Sequence, residues 1–453
     1  MTQSAFNHIM VVDDDPDILS QVEKIFVKLG IGNYKTFLSA EKALKELEVA
    51  KESYDMVIVD VRMPIFAGIA LVQYIKTHVE KKIRDTFCVP LVGSIGREDK
   101  AILSEFSFFE TVSKPIAEKA FIVRLGELGE QHKNPNSDKN FQTHFNNALI
   151  EKKYKQAEDL ILPRLKQDPK SLRFLTLYAE LLLRAQQAKK AEEFLNKVLK
   201  IDQNHIVALN LMSKVYIKTN RFDDAMKVLE KAKIYSPHNI DRLLVMGELH
   251  LGSGEADKAE ENFNSVLKLN PTDERATYGL GRALATQGKT DESKKILASL
   301  KKGVELASFF NNKGILLVKA GKYNDGISLY KNAIKVLDDQ EREHLLLYNI
   351  ALAYSKLGDS PKALDFAKKA SEKAPKENVK PKKLLEKLQK ETKSDPNQAG
   401  KPQEAQTTEP SKEKYLLTGS QMDFIMGGYD EVKAPEPSPN PASTEEEFIT
   451  FGN

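Results

Sequence analysis

Small side chains return about every 34 residues through nearly half of this chain, and that period constrains the fold more than any other feature. Ala157, Ala191, Ala225 and Ala259 carry the series, Ser293 and Gly326 continue it, and Ala363 follows after a short insertion near VLDDQEREH. A second set keeps the same phase: Ala179, Ser213, Gly247, Gly281, Gly314 and Ala351. A third, Gly254, Gly288, Gly321 and Gly358, falls where each helix pair must turn, with Pro169, Pro237, Pro271 and Pro375 at the exits. Small residues let two antiparallel helices approach, Gly permits the turn, and Pro stops the second helix. Residues 141–392 are therefore read as all-α hairpins, about seven of them, closed by a capping helix in KPKKLLEKLQKE. Tyr and Leu at the intervening positions are stacking core.

In its three coincident series the pattern resembles the tetratricopeptide repeat, which implies a solenoid that binds an unidentified protein partner. At 453 residues the chain is too long for one core, so further domains are expected. Residues 1–126 alternate short apolar runs (HIMVVDD, MVIVD, VPLVGS, ETVSK) with helical periodicity such as DILSQVEKIFVKLG. That alternation predicts an α/β doubly wound domain with a parallel sheet. The polar stretch GEQHKNPNSDKN lacks periodicity, so 127–140 reads as a linker. From 393 to 453 Pro, Glu, Gln, Ser and Thr dominate, and a disordered tail is expected. Two islands interrupt it, KYLLTGSQMDFIMGGYD and EEEFITFGN, each read either as incidental composition or as a short motif that orders on a partner or folds back on the repeats.

A formal net charge of +3 on a chain that is 29% charged gives no global argument for nucleic acid or an anionic membrane. No DNA-reading helix-turn-helix and no nuclease, cyclase or kinase signature is seen. Cys88 stands alone, which excludes an internal disulfide, and its apolar setting reads as core. No apolar run reaches the roughly eighteen residues of a membrane span and no signal sequence opens the chain. A soluble, cytoplasmic protein without membrane insertion is expected.

The chemistry is concentrated in the first domain. Strand-like MVV runs into Asp13, Asp14 and Asp15, and VIVD ends at Asp60, each where a parallel strand should meet the ligand-binding edge of its sheet. Carboxylates converging there need a cation, and an all-oxygen set suits Mg²⁺. Two further strand ends offer a hydroxyl, Ser94, and an ammonium, Lys114. Each residue alone has a plainer role: an acidic run often caps a helix, and one carboxylate often ends a strand. ALATQGKT mimics a phosphate loop, but the Gly288 turn accounts for it.

Together VVDDDPDI, VIVDVRMPIFAG, LVGS and SKPI resemble the receiver domain of two-component response regulators, a flavodoxin-like fold. The resemblance implies Asp60 as phosphoacceptor, with Asp14 and the backbone carbonyl of Arg62 binding Mg²⁺ directly and Asp13 assisting through water. Ser94 and Lys114 would contact the phosphoryl oxygens, and a sensor histidine kinase or phosphotransfer protein would donate the group. Two departures bear on output: Ile95 stands where a small residue is usual, and Thr111 where an aromatic switch residue is common; Phe108 and Phe109 precede it. The expectation is a non-enzymatic response regulator, apart from loss of its own phosphoryl group, with a constitutive scaffold or a phosphate sink as alternatives.

Overall fold

Apolar runs buried on both faces build the first layer. β1 (Ile9–Val12), β3 (Met56–Asp60) and β4 (Phe87–Val92) form the centre of a five-stranded sheet, with β2 (Tyr34–Phe37) and β5 (Val112–Ser113) at its edges. All pairings are parallel and the strand order is β2-β1-β3-β4-β5. This computed structural model describes residues 6, 8–63, 68–78, 80–93, 103, 105, 110–134, 136–300, 303–337, 342–394 and 414–426.

Ile9, Val11, Ile58, Val89 and Leu91 bury one face of the sheet among Val22 and Phe26 of α1 (Pro16–Leu29) and Phe121, Leu125 and Leu128 of α5 (Glu118–Lys133). Met10, Val57 and Val59, of opposite phase, are also fully buried. α2 (Ala40–Val49) and α3 (Gly68–Thr77) pack on the sheet, and the single turn α4 (Lys81–Arg84) leads into β4. The doubly wound parallel sheet expected from the alternation is present. Its edge strand YKTF was not among the expected strands, because its residues are only partly buried and mixed in character.

The linker expected over 127–140 is a correction. α5 continues to Lys133 and α6 begins at Asp138, leaving only 134–137 outside helix. Leu128 buries α5 in the sheet's core, and Ser137 caps α6 by accepting from the Asn140 N–H. Local polarity concealed two helix ends.

Seven helical hairpins follow: α6 (Asp138–Ile150) with α7 (Tyr154–Gln167), α8 (Leu172–Arg184) with α9 (Ala188–Ile201), and α10 (Ile206–Lys218) with α11 (Phe222–Tyr235). Then come α12 (Ile240–Ser253) with α13 (Ala256–Leu269), α14 (Glu274–Gln287) with α15 (Thr290–Leu297), α16 (Gly303–Lys319) with α17 (Tyr323–Leu337), and α18 (Glu343–Leu357) with α19 (Ser360–Lys373). α20 (Lys380–Ser394) buries Leu384 and Leu388 in the core of the last hairpins. One compact unit runs to Arg242 and takes in Val266–Pro271; the other holds Leu243–Ser265 and Thr272 onward.

The small-residue register is explained by contact. A Cβ on Gly281 would lie 2.4 Å from Leu297, and one on Gly314 would lie 2.3 Å from the Tyr330 ring. Ser293, from the first series, donates its hydroxyl to the carbonyl of Gly281, from the second, at 2.8 Å. Gly254, Gly288, Gly321 and Gly358 all have positive φ. So do Lys152, Gln186 and Asn220, which extend the same turn series through the first three hairpins with side chains that hid it. α7, α11, α13 and α19 each stop two residues before Pro169, Pro237, Pro271 and Pro375, as the restriction on pre-proline backbone requires.

Of the tail, residues 414–426, within the island KYLLTGSQMDFIMGGYD, end in α21 (Gly419–Met426); of the readings given for that island, the fold-back on the repeats is the one seen. Burial of Leu416, Leu417, Met422, Ile425 and Met426 supplies what the surrounding composition lacks. The remainder, with EEEFITFGN, lies outside the described residues.

Candidate receiver site

Sheet register brings the acidic strand ends together. Val12 pairs with Val59, so Asp13 and Asp60 leave adjacent strands side by side, and Ser113 pairs with Val92 to set Lys114 across β4. Lys114 Nζ lies 2.7 Å from Asp13 Oδ2 and 2.7 Å from Asp60 Oδ2. The other oxygens take backbone donors: Asp13 Oδ1 accepts from the Asp15 N–H at 3.0 Å and Asp60 Oδ1 from the Arg62 N–H at 2.8 Å. Both carboxylates are thereby fixed in rotation. Asp15 is the N-cap of α1 and accepts from the Asp17 N–H, so the plainer role holds for that member of the acidic run.

Asp13 is fully buried, Asp60 partly so, and Asp14 exposed. Burial raises the Asp13 carboxyl above its ordinary range against the opposing Lys114 bond. Burial also pulls on the Lys114 ammonium, but its bonds to Asp13 and Asp60 outweigh this and hold it raised.

Asp13, Asp14 and Asp60 each offer a carboxylate oxygen within 4.8 Å of the others. Three carboxylates against one ammonium leave a surplus of two negative charges, and hard oxygen donors at this spacing fit Mg²⁺. Among the described residues no other cluster of His, Cys, Asp and Glu meets this test. Ser94 lies outside the described residues, as do Ile95, Phe108 and Phe109. Thr111 is half-buried, and its carbonyl accepts from Arg124 Nε at 2.9 Å.

Gly68 was not singled out from the sequence, yet a Cβ there would lie 1.8 Å from the Asp60 carbonyl oxygen. The first turn of α3 thus packs against the backbone of the acidic strand end. The available signal was a glycine eight residues past Asp60, weak without its partner.

Residues 9–125 match the family described as response regulator receiver domain. Residues 250–303 and 311–378 match tetratricopeptide repeat families, and 146–232 match anaphase-promoting complex, cyclosome, subunit 3. The chain carries a receiver domain followed by tetratricopeptide-type repeats. Similar solved structures include a tetratricopeptide repeat protein from Parabacteroides merdae, at 18% identity and TM-score 0.34, covering 55% of this chain and 97% of that one. YrrB, described as a TPR protein with an unusual peptide-binding site, is 18% identical with TM-score 0.29, covering 51% and 97%. No curated protein matches the chain. Among the described residues no helix is long and apolar enough to cross a membrane.

The receiver domain meets the repeats directly within the first compact unit. Glu105, on the segment between β4 and β5, accepts at Oε1 from Arg242 Nη1 and Asn210 Nδ2, both at 2.6 Å, and at Oε2 from Ser236 Oγ at 2.6 Å. The Glu105 and Arg242 side chains are 4% and 1% exposed, so the ion pair is buried. Asp85 and Arg84 of the receiver domain also bond Asn147 on α6.

Proposed function

We propose that this chain is a response regulator of a two-component phosphorelay, accepting a phosphoryl group on Asp60 and acting through protein contacts of its repeats. One observation carries the reading: the Asp60 carboxylate is held by Lys114 and the Arg62 N–H beside Asp13 and Asp14, at the end of a central parallel strand.

An Asp60 carboxylate oxygen attacks the phosphorus of a phosphohistidine or a small phosphodonor; the new P–O bond forms as the bond to the leaving group breaks, and the leaving group takes the departing electron pair. Lys114 sits within reach of the transferring oxygens and offsets their charge. Asp14, Asp60 and the Arg62 carbonyl would hold Mg²⁺, with Asp13 assisting through water; the ion would supply charge neutralisation to the phosphoryl oxygens. Ser94 would complete the oxygen contacts. The donor is a sensor histidine kinase or phosphotransfer protein, the repeats engage a protein partner, and the reading assigns no nucleic-acid ligand, no membrane insertion and a cytoplasmic location.

The test is a phosphate-affinity gel after treatment with acetyl phosphate. A retarded band is expected for the wild-type chain with Mg²⁺, and none with chelator or in Asp60→Asn. Absence of an Asp60-dependent, Mg²⁺-dependent band ends this reading and leaves the scaffold alternative.

A further inference from the structure

The ordered island of the tail is seated against α12 and α16, the first helices of the fourth and sixth hairpins. Leu416 donates its N–H to the Gly252 carbonyl at 2.9 Å, an oxygen in the last turn of α12 that has no acceptor role inside its own helix. Lys313 of α16 donates to that same carbonyl at 3.1 Å and also to the Leu416 carbonyl. Burial pushes the Lys313 ammonium down to about 7, with Lys322 acting the same way and Glu248 opposing.

Side chains make the fit specific. Glu248 of α12 and Arg282 of α14 form a buried ion pair, and the guanidinium lies over the rings of Tyr278 and Phe309 at 4.5 and 4.6 Å. Gln421 Nε2 donates to Glu248 Oε2 at 2.9 Å, while its Oε1 accepts from the Thr418 N–H at 3.1 Å. The Gln421 N–H returns to Thr418 Oγ1 at 3.3 Å, a reciprocal capping box that starts α21. Eight residues are too few for a stable isolated helix, so α21 depends on what it packs against.

Gly252 gives an independent argument. A glycine inside a helix weakens it relative to alanine, by roughly 1 kcal/mol. Here the three heavy atoms nearest a Cβ, the surrounding helix backbone aside, all belong to Leu417, at 2.4, 2.9 and 3.9 Å. Where the nearest atoms at Gly281 and Gly314 come from the partner helix of the same hairpin, at Gly252 they come from the tail; its missing side chain is the niche for Leu417. Residues 395–413, between α20 and the island, include no Val, Ile, Leu, Met, Phe or Tyr.

We infer that the groove lined by Glu248, Gly252, Arg282 and Lys313 is a peptide-binding site, and that residues 415–426 of the same chain are its resident, exchangeable ligand. The peptide chemistry it takes is an extended apolar pair followed by a short capped helix presenting a glutamine amide and three apolar side chains. A partner reaching this surface must carry that pattern and displace the tail.

The probe is a fluorescein-labelled peptide of residues 414–427, followed by anisotropy against full-length chains. Met422→Asp with Ile425→Asp should free the groove, and the probe should bind that chain one to one, at least about tenfold tighter than wild type. Gly252→Gln added to it fills the niche with a good helix former and should weaken binding at least about tenfold. A Gln421→Ala probe should bind at least about fivefold more weakly. Equal binding by wild-type and released chains, or no binding by a released chain with an unchanged circular dichroism spectrum, overturns the inference. A second reading needs no variant: in the wild-type chain the Leu416 and Met422 amides should exchange at least about tenfold more slowly than in the free peptide, and free-peptide rates overturn it. A wild-type dimer that becomes monomeric on tail release would seat the segment in a second copy and overturn the single-chain assignment.

Discussion

Lys114 touches Asp13 and Asp60 at once, so any oxygen that arrives at Asp60 meets an ammonium already in place. The convergence of Asp13 and Asp60 was legible in the sequence, because each directly follows a strongly apolar run and a parallel sheet aligns such runs at one edge; Lys114, after the two-residue strand Val112–Ser113, was legible only as a strand-end ammonium. Glu105 and Gly252 were not legible. Their partners, Arg242 and Leu417, lie more than a hundred residues away, and only folding brings them into contact. Cys88 was legible as core, and its burial pushes the thiol up to about 11. At pH 8 about one molecule in a thousand then carries the thiolate, against roughly a quarter for a free cysteine. Ellman's reagent should accordingly react at least about a hundredfold more slowly with the native chain than with the denatured one. The native rate should climb about tenfold per pH unit between pH 8 and 10, because the thiolate fraction grows tenfold per unit below the pKa. Fast native labelling at pH 8 would contradict the buried setting.

Hairpin geometry depends on side-chain size at one set of positions and on backbone handedness at another. Gly314→Ala drives a methyl into the Tyr330 ring and should cost about 1–3 kcal/mol, the usual penalty for overpacking. Gln186→Gly should act in the other direction, relieving a left-handed residue and adding up to about 1 kcal/mol. Differential scanning calorimetry of the two variants checks both signs, and a neutral Gly314→Ala would mean that the ring yields. The same contrast explains what sequence revealed of these elements. Glycine announces the turn at 254, 288, 321 and 358, whereas Lys152, Gln186 and Asn220 adopt the same conformation without a compositional trace. β2 escaped for a related reason: an edge strand needs few apolar residues, so YKTF carries little signal.

Across the whole molecule, the receiver domain and the first repeats share a buried carboxylate. Glu105→Ala leaves Arg242 without its charge partner in a dry setting and should destabilise the first unit by about 3–5 kcal/mol. The double variant Glu105→Ala, Arg242→Met should recover much of that loss in the same calorimetric scan. A single variant that melts like wild type would show that the pair is not formed in solution. Within the second compact unit, the seated tail sets a threshold. Groove and occupant belong to one chain, so dilution does not separate them, and a segment tethered this closely meets its site at an effective concentration on the order of millimolar. A competitor of ordinary affinity would stay out at low abundance and gain access only where it is locally crowded, as at a membrane cluster or on an assembled complex. The repeats would then report how densely their partner is gathered.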